Sequence, residues 1–203
     1  MNDYVKTLMY CLLFASFQAQ ASEPKTSEPK TEEQQPASSN YLIEAAYASA
    51  IDEEHNFHMT SLSAGKEFYR YKDVQLFGLM VFSSIDGEAF DDFYPELDAV
   101  KVSTTGTGVS GLVRWVPFRT SQNQLFIDGG LGAVYFDDEF PPNGSHWNFL
   151  IRFGGGLAYR VGDSSSLGVG YRWVHISNGT GNGEQNPASD NNSIFITYST
   201  EFF

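Results

Sequence analysis

The chain has 203 residues, a formal net charge of −13 and 15% aromatic residues. An acidic chain without a basic stripe argues against nucleic acid as a partner. The single cysteine, Cys11, lies near the N-terminus, and no His and Cys residues have metal-ligand spacing, so we expect no disulfide, no metal and no cofactor in the mature protein.

The first 21 residues have the pattern of a secretory signal peptide. Lys6 provides a thin basic region, residues 7–17 are mostly apolar, and Ala19-Gln20-Ala21 matches a small-residue cleavage site. The apolar segment is too short to cross a bilayer as a helix, which disfavours a membrane anchor. We therefore expect the mature protein to begin near Ser22.

Residues 22–39 form a polar leader. The segment Ser22-Glu23-Pro24-Lys25-Thr26 is repeated directly as Ser27-Glu28-Pro29-Lys30-Thr31, and more Glu, Gln and Pro follow. A stretch of this composition cannot bury enough apolar surface to fold, so the leader is predicted to be disordered. The folded domain is expected over residues 40–203.

From Tyr41 onward, segments with period-two alternation are separated by turn residues. We place them at 41–50, 60–71, 74–83, 99–116, 123–136, 147–160, 166–177 and 193–203. Segments of this length and alternation are typical of strands that cross an outer membrane, and an even number of them suits a bacterial barrel. The prediction is therefore an all-β, eight-stranded antiparallel transmembrane β-barrel, with a soluble lipocalin-like barrel as the alternative.

The two faces of the sixth segment favour the membrane barrel. One face carries large apolar residues: Phe149, Ile151, Phe153, Leu157 and Tyr159. The other face carries small and charged residues: Arg152, Gly154, Gly156, Ala158 and Arg160. A soluble sandwich would bury the large apolar face, whereas a small barrel has a tight interior and turns its apolar face to lipid.

Charges of both signs are predicted to face the lumen. They are Glu44, Asp128, Arg152, Arg160 and Arg172. Because a lone charge in such an interior is unfavourable, we expect these residues to pair with one another. We interpret the group as a structural network and not as a functional site.

The end of the seventh segment carries the candidate chemistry. His175 and Ser177 have the same strand parity as the apolar residues Leu167, Val169, Tyr171 and Trp173, so they are predicted to face lipid. With both termini in the periplasm, odd strands run outward, which places this pair at the outer membrane interface. The loop over residues 178–192 is then expected to be extracellular.

A histidine and a serine at positions i and i+2 are the minimum for nucleophilic ester hydrolysis, because the imidazole can take the hydroxyl proton. The third group, which orients the imidazole, is predicted among Glu184 and Asp190. Oxyanion donors are offered by Asn178, Asn186 and the amides of Gly179 and Gly181. The plainer interpretation is that polar residues simply end a strand at an interface.

The segment Tyr171-Arg172-Trp173-Val174-His175-Ile176-Ser177-Asn178-Gly179 resembles the His-x-Ser-Asn motif of the lipid A 3-O-deacylases. Residues 149–157 and 125–132 also resemble strands of that family, and the first half of the chain is similar only in pattern. The resemblance implies an outer-membrane enzyme with an eight-stranded barrel. It implies that this enzyme removes the ester-linked 3-hydroxyacyl chain at position 3 of lipid A with a Ser-His-acid triad and without a metal.

On that resemblance, His175 is the general base and Ser177 the nucleophile, and Asn178 matches the motif asparagine. The family's Asn-x-Gly-x-Glu segment resembles Asn186-Pro187-Ala188-Ser189-Asp190, which makes Asn186 an oxyanion candidate and Asp190 the acid. Three residues depart from the family pattern. They are Gly179 in place of Ala, Ala188 in place of Gly, and Asp190 in place of Glu. Because Asp190 is shorter than the usual acid, Glu184 stays as the alternative.

The expected partners are lipid A of lipopolysaccharide as substrate and the lipids of the outer membrane, with a homodimer left open. Two other functions remain open from the sequence alone. One is a small non-enzymatic barrel that acts as an adhesin or interaction protein, since inactive barrels share the same strands. The other is an acyltransferase that uses the same nucleophile with a lipid as acceptor.

Overall fold

Eight strands account for most of the computed structural model, which describes residues 39–51, 56–89, 99–179 and 187–202. They are β1 (Ser39–Ala50), β2 (Asn56–Tyr71), β3 (Val74–Ala89), β4 (Val100–Arg119), β5 (Asn123–Phe140), β6 (Ser145–Arg160), β7 (Ser165–Ser177) and β8 (Ala188–Phe202). Each strand pairs with the next, and β8 pairs antiparallel with β1, so the sheet closes into a barrel. The predicted eight-stranded antiparallel barrel is confirmed.

The outer wall of the barrel is apolar, as predicted from the sixth segment, and its interior contains both charged or polar side chains and apolar clusters. Large outward-facing side chains are about half exposed, among them Leu62, Phe82, Val109, Leu131, Phe153 and Ile196. The residues that alternate with them along each strand point inward and are buried, whether they are charged, such as Arg152, or apolar, such as Leu150. None of the described residues belongs to a helix that is long and apolar enough to cross a membrane.

Ion pairs fill the middle of the lumen. The Oε1 atom of Glu44 accepts hydrogen bonds from Arg172 at 3.0 Å and from Arg152 at 3.2 Å. Arg114 and Asp128 form a second pair with two contacts of 2.8 Å each. Each of these buried charges therefore has a bonded partner of opposite sign, which offsets part of the cost of burying it.

The prediction for Arg160 is wrong. This residue is exposed at the end of β6 and belongs to none of the ion pairs between described residues. It lines a small polar cavity at the rim of the barrel, because β6 ends there. The cation that pairs with Asp128 is instead Arg114, which lies directly opposite Asp128 in the β4–β5 register and was not predicted.

Close packing explains the glycines of β6. Gly154 lies opposite Arg172, and a Cβ atom on this glycine would stand 2.5 Å from the Cα of Arg172. The guanidinium of Arg172 in turn lies 3.5 Å from the centroid of the Phe195 ring. The interior at this level is therefore packed with side chains, as is usual for a barrel of eight strands.

An apolar cluster fills the lumen near the end of β7. It includes Val174 and Ile176 together with Phe57, Phe136 and Phe140, and the rings of Phe57 and Phe140 meet edge to face at 5.2 Å. Because Val174 and Ile176 alternate with His175 and Ser177 along β7, this packing fixes the inner side of the strand segment whose outer side carries the candidate site.

The prediction that residues 178–192 form a loop is wrong for its last five residues. Ala188 already pairs with Ser177, and β8 runs from there without interruption. The segment was taken for a loop because it is polar. The polar side chains of Ser189 and Asn191 in fact point inward, where they are at most 1% exposed, and a polar lumen accommodates them.

Two predicted segments lie outside the described residues. They are the signal peptide, at 1–21, and the leader, at 22–39, except for its last residue. Ser39 is the first residue of β1, one position before the predicted start of the domain.

Candidate active site

The outer face of β7 carries the candidate residues. Val169 and Tyr171 are more than half exposed on this face, whereas Arg172 points into the lumen and is 1% exposed. His175 and Ser177 continue the same side of the strand as Tyr171. Their side chains are more covered, with 22% exposure for the imidazole and 8% for Ser177, so the pair lies in a partly enclosed place at the end of the outer wall.

Three side chains at this place form one chain of hydrogen bonds. The Nδ1 atom of His175 lies 2.7 Å from Oδ1 of Asp190, and its Nε2 atom lies 3.1 Å from Oγ of Ser177. A serine, a histidine and a carboxylate joined in this order have the geometry of a hydrolytic triad.

The sheet register brings the carboxylate to the histidine. In the β7–β8 ladder His175 is directly opposite Asp190, and Ser177 is opposite Ala188. Side chains that face each other across two antiparallel strands have Cβ atoms about 5 Å apart, which suits a contact between an imidazole and a short carboxylate. The carboxylate of Asp190 is 51% exposed.

The residues after Ser177 leave the sheet. Both ladders of β7 end at Ser177, so within the described part of the chain the amides of Asn178 and Gly179 pair with neither neighbouring strand. Gly179 has φ at +68°, a left-handed conformation that favours glycine, and a Cβ atom at this position would stand 3.1 Å from the ring of Phe149. The side-chain oxygen of Asn178 is buried and has no hydrogen-bond partner among the described residues.

Two of the predicted site residues, Glu184 and Asn186, lie outside the described residues, as does Gly181. The described part of the chain contains no group of three or more His, Cys, Asp or Glu side chains that could hold a metal ion.

Strand parity placed Trp173 on the same face as His175, but a contact between the two side chains was not predicted. The indole of Trp173 stacks on the imidazole of His175, with ring centroids 5.6 Å apart and an angle of 26° between the ring planes. The available signal was the spacing, because an aromatic residue two positions before the histidine lies on the same face of the strand.

A family model described as lipid A 3-O-deacylase (PagL) matches residues 54–199. The chain belongs to this family. The match spans every candidate residue, from His175 and Ser177 on β7 to Asp190 on β8, and the members of this family are ester hydrolases.

Solved structures agree in fold. The barrel is similar to the crystal structure of the outer membrane enzyme PagL, with a TM-score of 0.54 and 19% identity over 79% of this chain and 99% of that one. It is also similar to the crystal structure of Neisserial surface protein A, with a TM-score of 0.51 and 12% identity over 81% of this chain and 96% of that one. No curated protein sequence matches the chain.

The family and the closed barrel together define where the protein acts. It is an outer-membrane enzyme of the lipid A deacylase family, and its apolar outer wall is the surface that meets lipid.

Proposed function

We propose that the chain hydrolyses the ester that links a 3-hydroxyacyl chain to the 3-O position of lipid A, with Ser177 as nucleophile, His175 as general base and Asp190 as the acid that orients it. The observation that carries this proposal is the continuous hydrogen-bonded series from Asp190 through His175 to Ser177 on the lipid-facing side of the barrel. Membership of the deacylase family supports lipid A as the substrate.

The contacts of His175 define its tautomer. An ionised carboxylate can only accept hydrogen bonds, so the hydrogen between His175 and Asp190 belongs to Nδ1 of the imidazole. In the neutral ring the other nitrogen, Nε2, is then unprotonated and can accept the hydroxyl hydrogen of Ser177. This is the arrangement that a general base requires before the reaction begins.

The reaction follows in two halves. Ser177 Oγ bonds to the ester carbonyl carbon while its proton passes to His175 Nε2. The tetrahedral intermediate then breaks its bond to the sugar oxygen, which takes that proton and leaves as a hydroxyl group. In the second half, water gives a proton to His175 and attacks the acyl-serine. The second tetrahedral intermediate breaks its bond to Ser177 Oγ, which takes the proton back from His175 Nε2, and release of the 3-hydroxy fatty acid restores the free enzyme.

The oxyanion of the intermediate needs nearby donors. We assign the backbone N–H groups of Asn178 and Gly179, because both follow the nucleophile directly and lie beyond the β7 ladders. The Asn186 amide remains a further candidate donor on the strength of the sequence and the resemblance.

The connections between strands support an outward-facing site. At the end of the barrel where β7 finishes, the connections are 51–55, 90–99, 141–144 and 178–187, of which two have ten residues each. At the opposite end the connections are 72–73, 120–122 and 161–164. Outer-membrane barrels have short periplasmic turns and longer extracellular loops, so we infer that His175 and Ser177 lie at the outer leaflet, where lipid A resides. The substrate would then reach them along the wall without leaving the membrane.

Purified protein incubated with lipid A in water enriched in oxygen-18 tests the reaction type. We expect free 3-hydroxy fatty acid with one oxygen-18 atom in its carboxyl group, and lipid A that has lost that chain and carries no label. Appearance of the acyl chain on a second lipid would identify an acyltransferase instead. Intact lipid A after prolonged incubation with folded protein would contradict the proposal and favour a non-enzymatic barrel.

The identity of the acid is tested by paired substitutions. We expect Asp190→Ala to lower kcat by about 10²- to 10⁴-fold, which is less than the loss of the nucleophile causes, because an orienting group is partly replaceable. Glu184→Ala serves as the matched control and is expected to keep wild-type activity. A large loss with Glu184→Ala and none with Asp190→Ala would transfer the role to Glu184.

A further inference from the structure

The stacking of Trp173 on His175 is closer than the strand alone requires. Residues two positions apart on a strand are separated by about 6.6 Å along it. The two ring centroids are only 5.6 Å apart and the planes differ by 26°, so the side chains lean towards each other. The indole therefore stacks, nearly parallel, beside the imidazole whose edge nitrogens contact Asp190 and Ser177.

The contact with Asp190 restricts the imidazole only partly. Asp190 contacts the imidazole through one oxygen, and its carboxylate is 51% exposed. Exposure to water or to ionic head groups weakens the attraction between a carboxylate and an imidazolium. The torsion that turns a histidine ring about its Cβ–Cγ bond is also broad, so two hydrogen bonds at the ring edge restrict it less than packing on the ring face does.

We infer that Trp173 is a positioning residue for His175, an inference that rests on the proposed function. Its indole face holds the imidazole in the plane where Nε2 meets Ser177 Oγ. The same face attracts the imidazolium that forms when the serine proton is transferred, since tryptophan is the aromatic side chain that binds cations best. The interaction is stronger with the charged ring than with the neutral one, so it lowers the barrier of the chemical step more than it favours substrate binding.

An ordinary role at the membrane interface does not account for the stacking. Tryptophan is enriched at both edges of the bilayer, where its ring is exposed to lipid head groups. Trp115 and Trp147 fit that description, with 47% and 62% exposure, and Trp147 meets the ring of Tyr135 edge to face. Trp173 is more covered than either and lies on the base of the triad.

Three variants test the inference. Trp173→Leu removes the aromatic face and Trp173→Phe retains one. Trp115→Leu is the control, because it removes an exposed outer-wall tryptophan at the opposite end of the barrel, where β4 pairs with the start of β3. Folding is checked by the electrophoretic mobility of unheated samples. The readouts are kcat and KM with lipid A in mixed micelles, and the rate at which a soluble fluorophosphonate labels Ser177.

We expect Trp173→Leu to lower kcat about tenfold, equivalent to about 1.4 kcal/mol in the barrier, with KM changed less than about twofold. Labelling should slow by a similar factor, because it needs the same proton transfer but no lipid binding. Trp173→Phe should keep at least about a third of wild-type kcat, since phenylalanine still offers an aromatic face. Trp115→Leu should match the wild type in every readout.

The inference is overturned if folded Trp173→Leu equals the control in kcat and labelling, if its defect appears in KM alone, or if Trp173→Phe is as impaired as Trp173→Leu. These results differ from failure of the proposed function. Should Ser177→Ala keep wild-type activity, the triad itself is wrong, whereas an inactive Ser177→Ala beside an unimpaired Trp173→Leu removes only the role of Trp173.

Discussion

Replacing Ser177 with alanine is expected to lower kcat for lipid A deacylation by about 10⁴-fold or more, while the barrel still folds. The hydroxyl is the only atom of the triad that forms a bond to the substrate in the proposed mechanism. It lies 3.1 Å from His175 Nε2 and points away from the lumen, so its loss removes no ion pair or apolar contact of the interior. The measurement is single-turnover deacylation of lipid A by refolded protein, with folding checked by electrophoretic mobility.

The matched experiment uses His175→Ala and the double variant that carries both His175→Ala and Ser177→Ala. Since base and nucleophile act as one unit, we expect the single and double variants to be impaired to about the same extent, not to multiply their effects. A folded Ser177→Ala variant that retains more than about a tenth of wild-type kcat would contradict the assignment of the nucleophile.

The second large effect is expected in the lumen. Glu44→Gln should lower the free energy of unfolding by about 3–5 kcal/mol, because it leaves the buried guanidinium groups of Arg152 and Arg172 without their shared carboxylate. Both arginines are at most 5% exposed, so water cannot replace the lost partner. The measurement is equilibrium unfolding by urea in lipid vesicles, followed by tryptophan fluorescence.

Asp163→Asn is the control for this stability experiment, since it neutralises an exposed carboxylate in the turn between β6 and β7 and is expected to change stability by less than about 0.5 kcal/mol. Adding Arg152→Gln to Glu44→Gln should recover part of the lost stability. The double variant no longer buries the guanidinium of Arg152 without a carboxylate partner. If Glu44→Gln and the control unfold at the same urea concentration, the buried network does not stabilise the barrel.

Much of the barrel could be predicted because its outer wall is apolar. On β5, β6 and β7 the apolar residues alternate with small or charged ones, and this pattern indicates both the strands and their two faces. The start of β8 could not be found in that way. Ser189, Asn191 and Ser193 point into the lumen, and the alternating outward residues Asp190 and Asn192 are polar as well. The strand therefore begins without an apolar outer face and resembles a loop in sequence.

Contacts across strands depend on register, which a single sequence does not reveal. Strand parity placed His175 and Ser177 on one face. The contact with Asp190 arises because His175 and Asp190 are exact partners in the β7–β8 ladder. A shift of one residue would turn the carboxylate into the lumen. The pairing of Arg114 with Asp128 was missed for the same reason, since it depends on the β4–β5 register.

Mass spectrometry of lipid A from Gram-negative cells that produce this protein tests the central claim most directly. The account predicts that lipid A from cells with the wild-type chain loses the mass of one 3-hydroxyacyl group from its 3-O position, and that lipid A from cells with folded Ser177→Ala keeps it. Lipid A that is unchanged by the wild-type protein, or that loses the same chain in the presence of the alanine variant, would contradict the account.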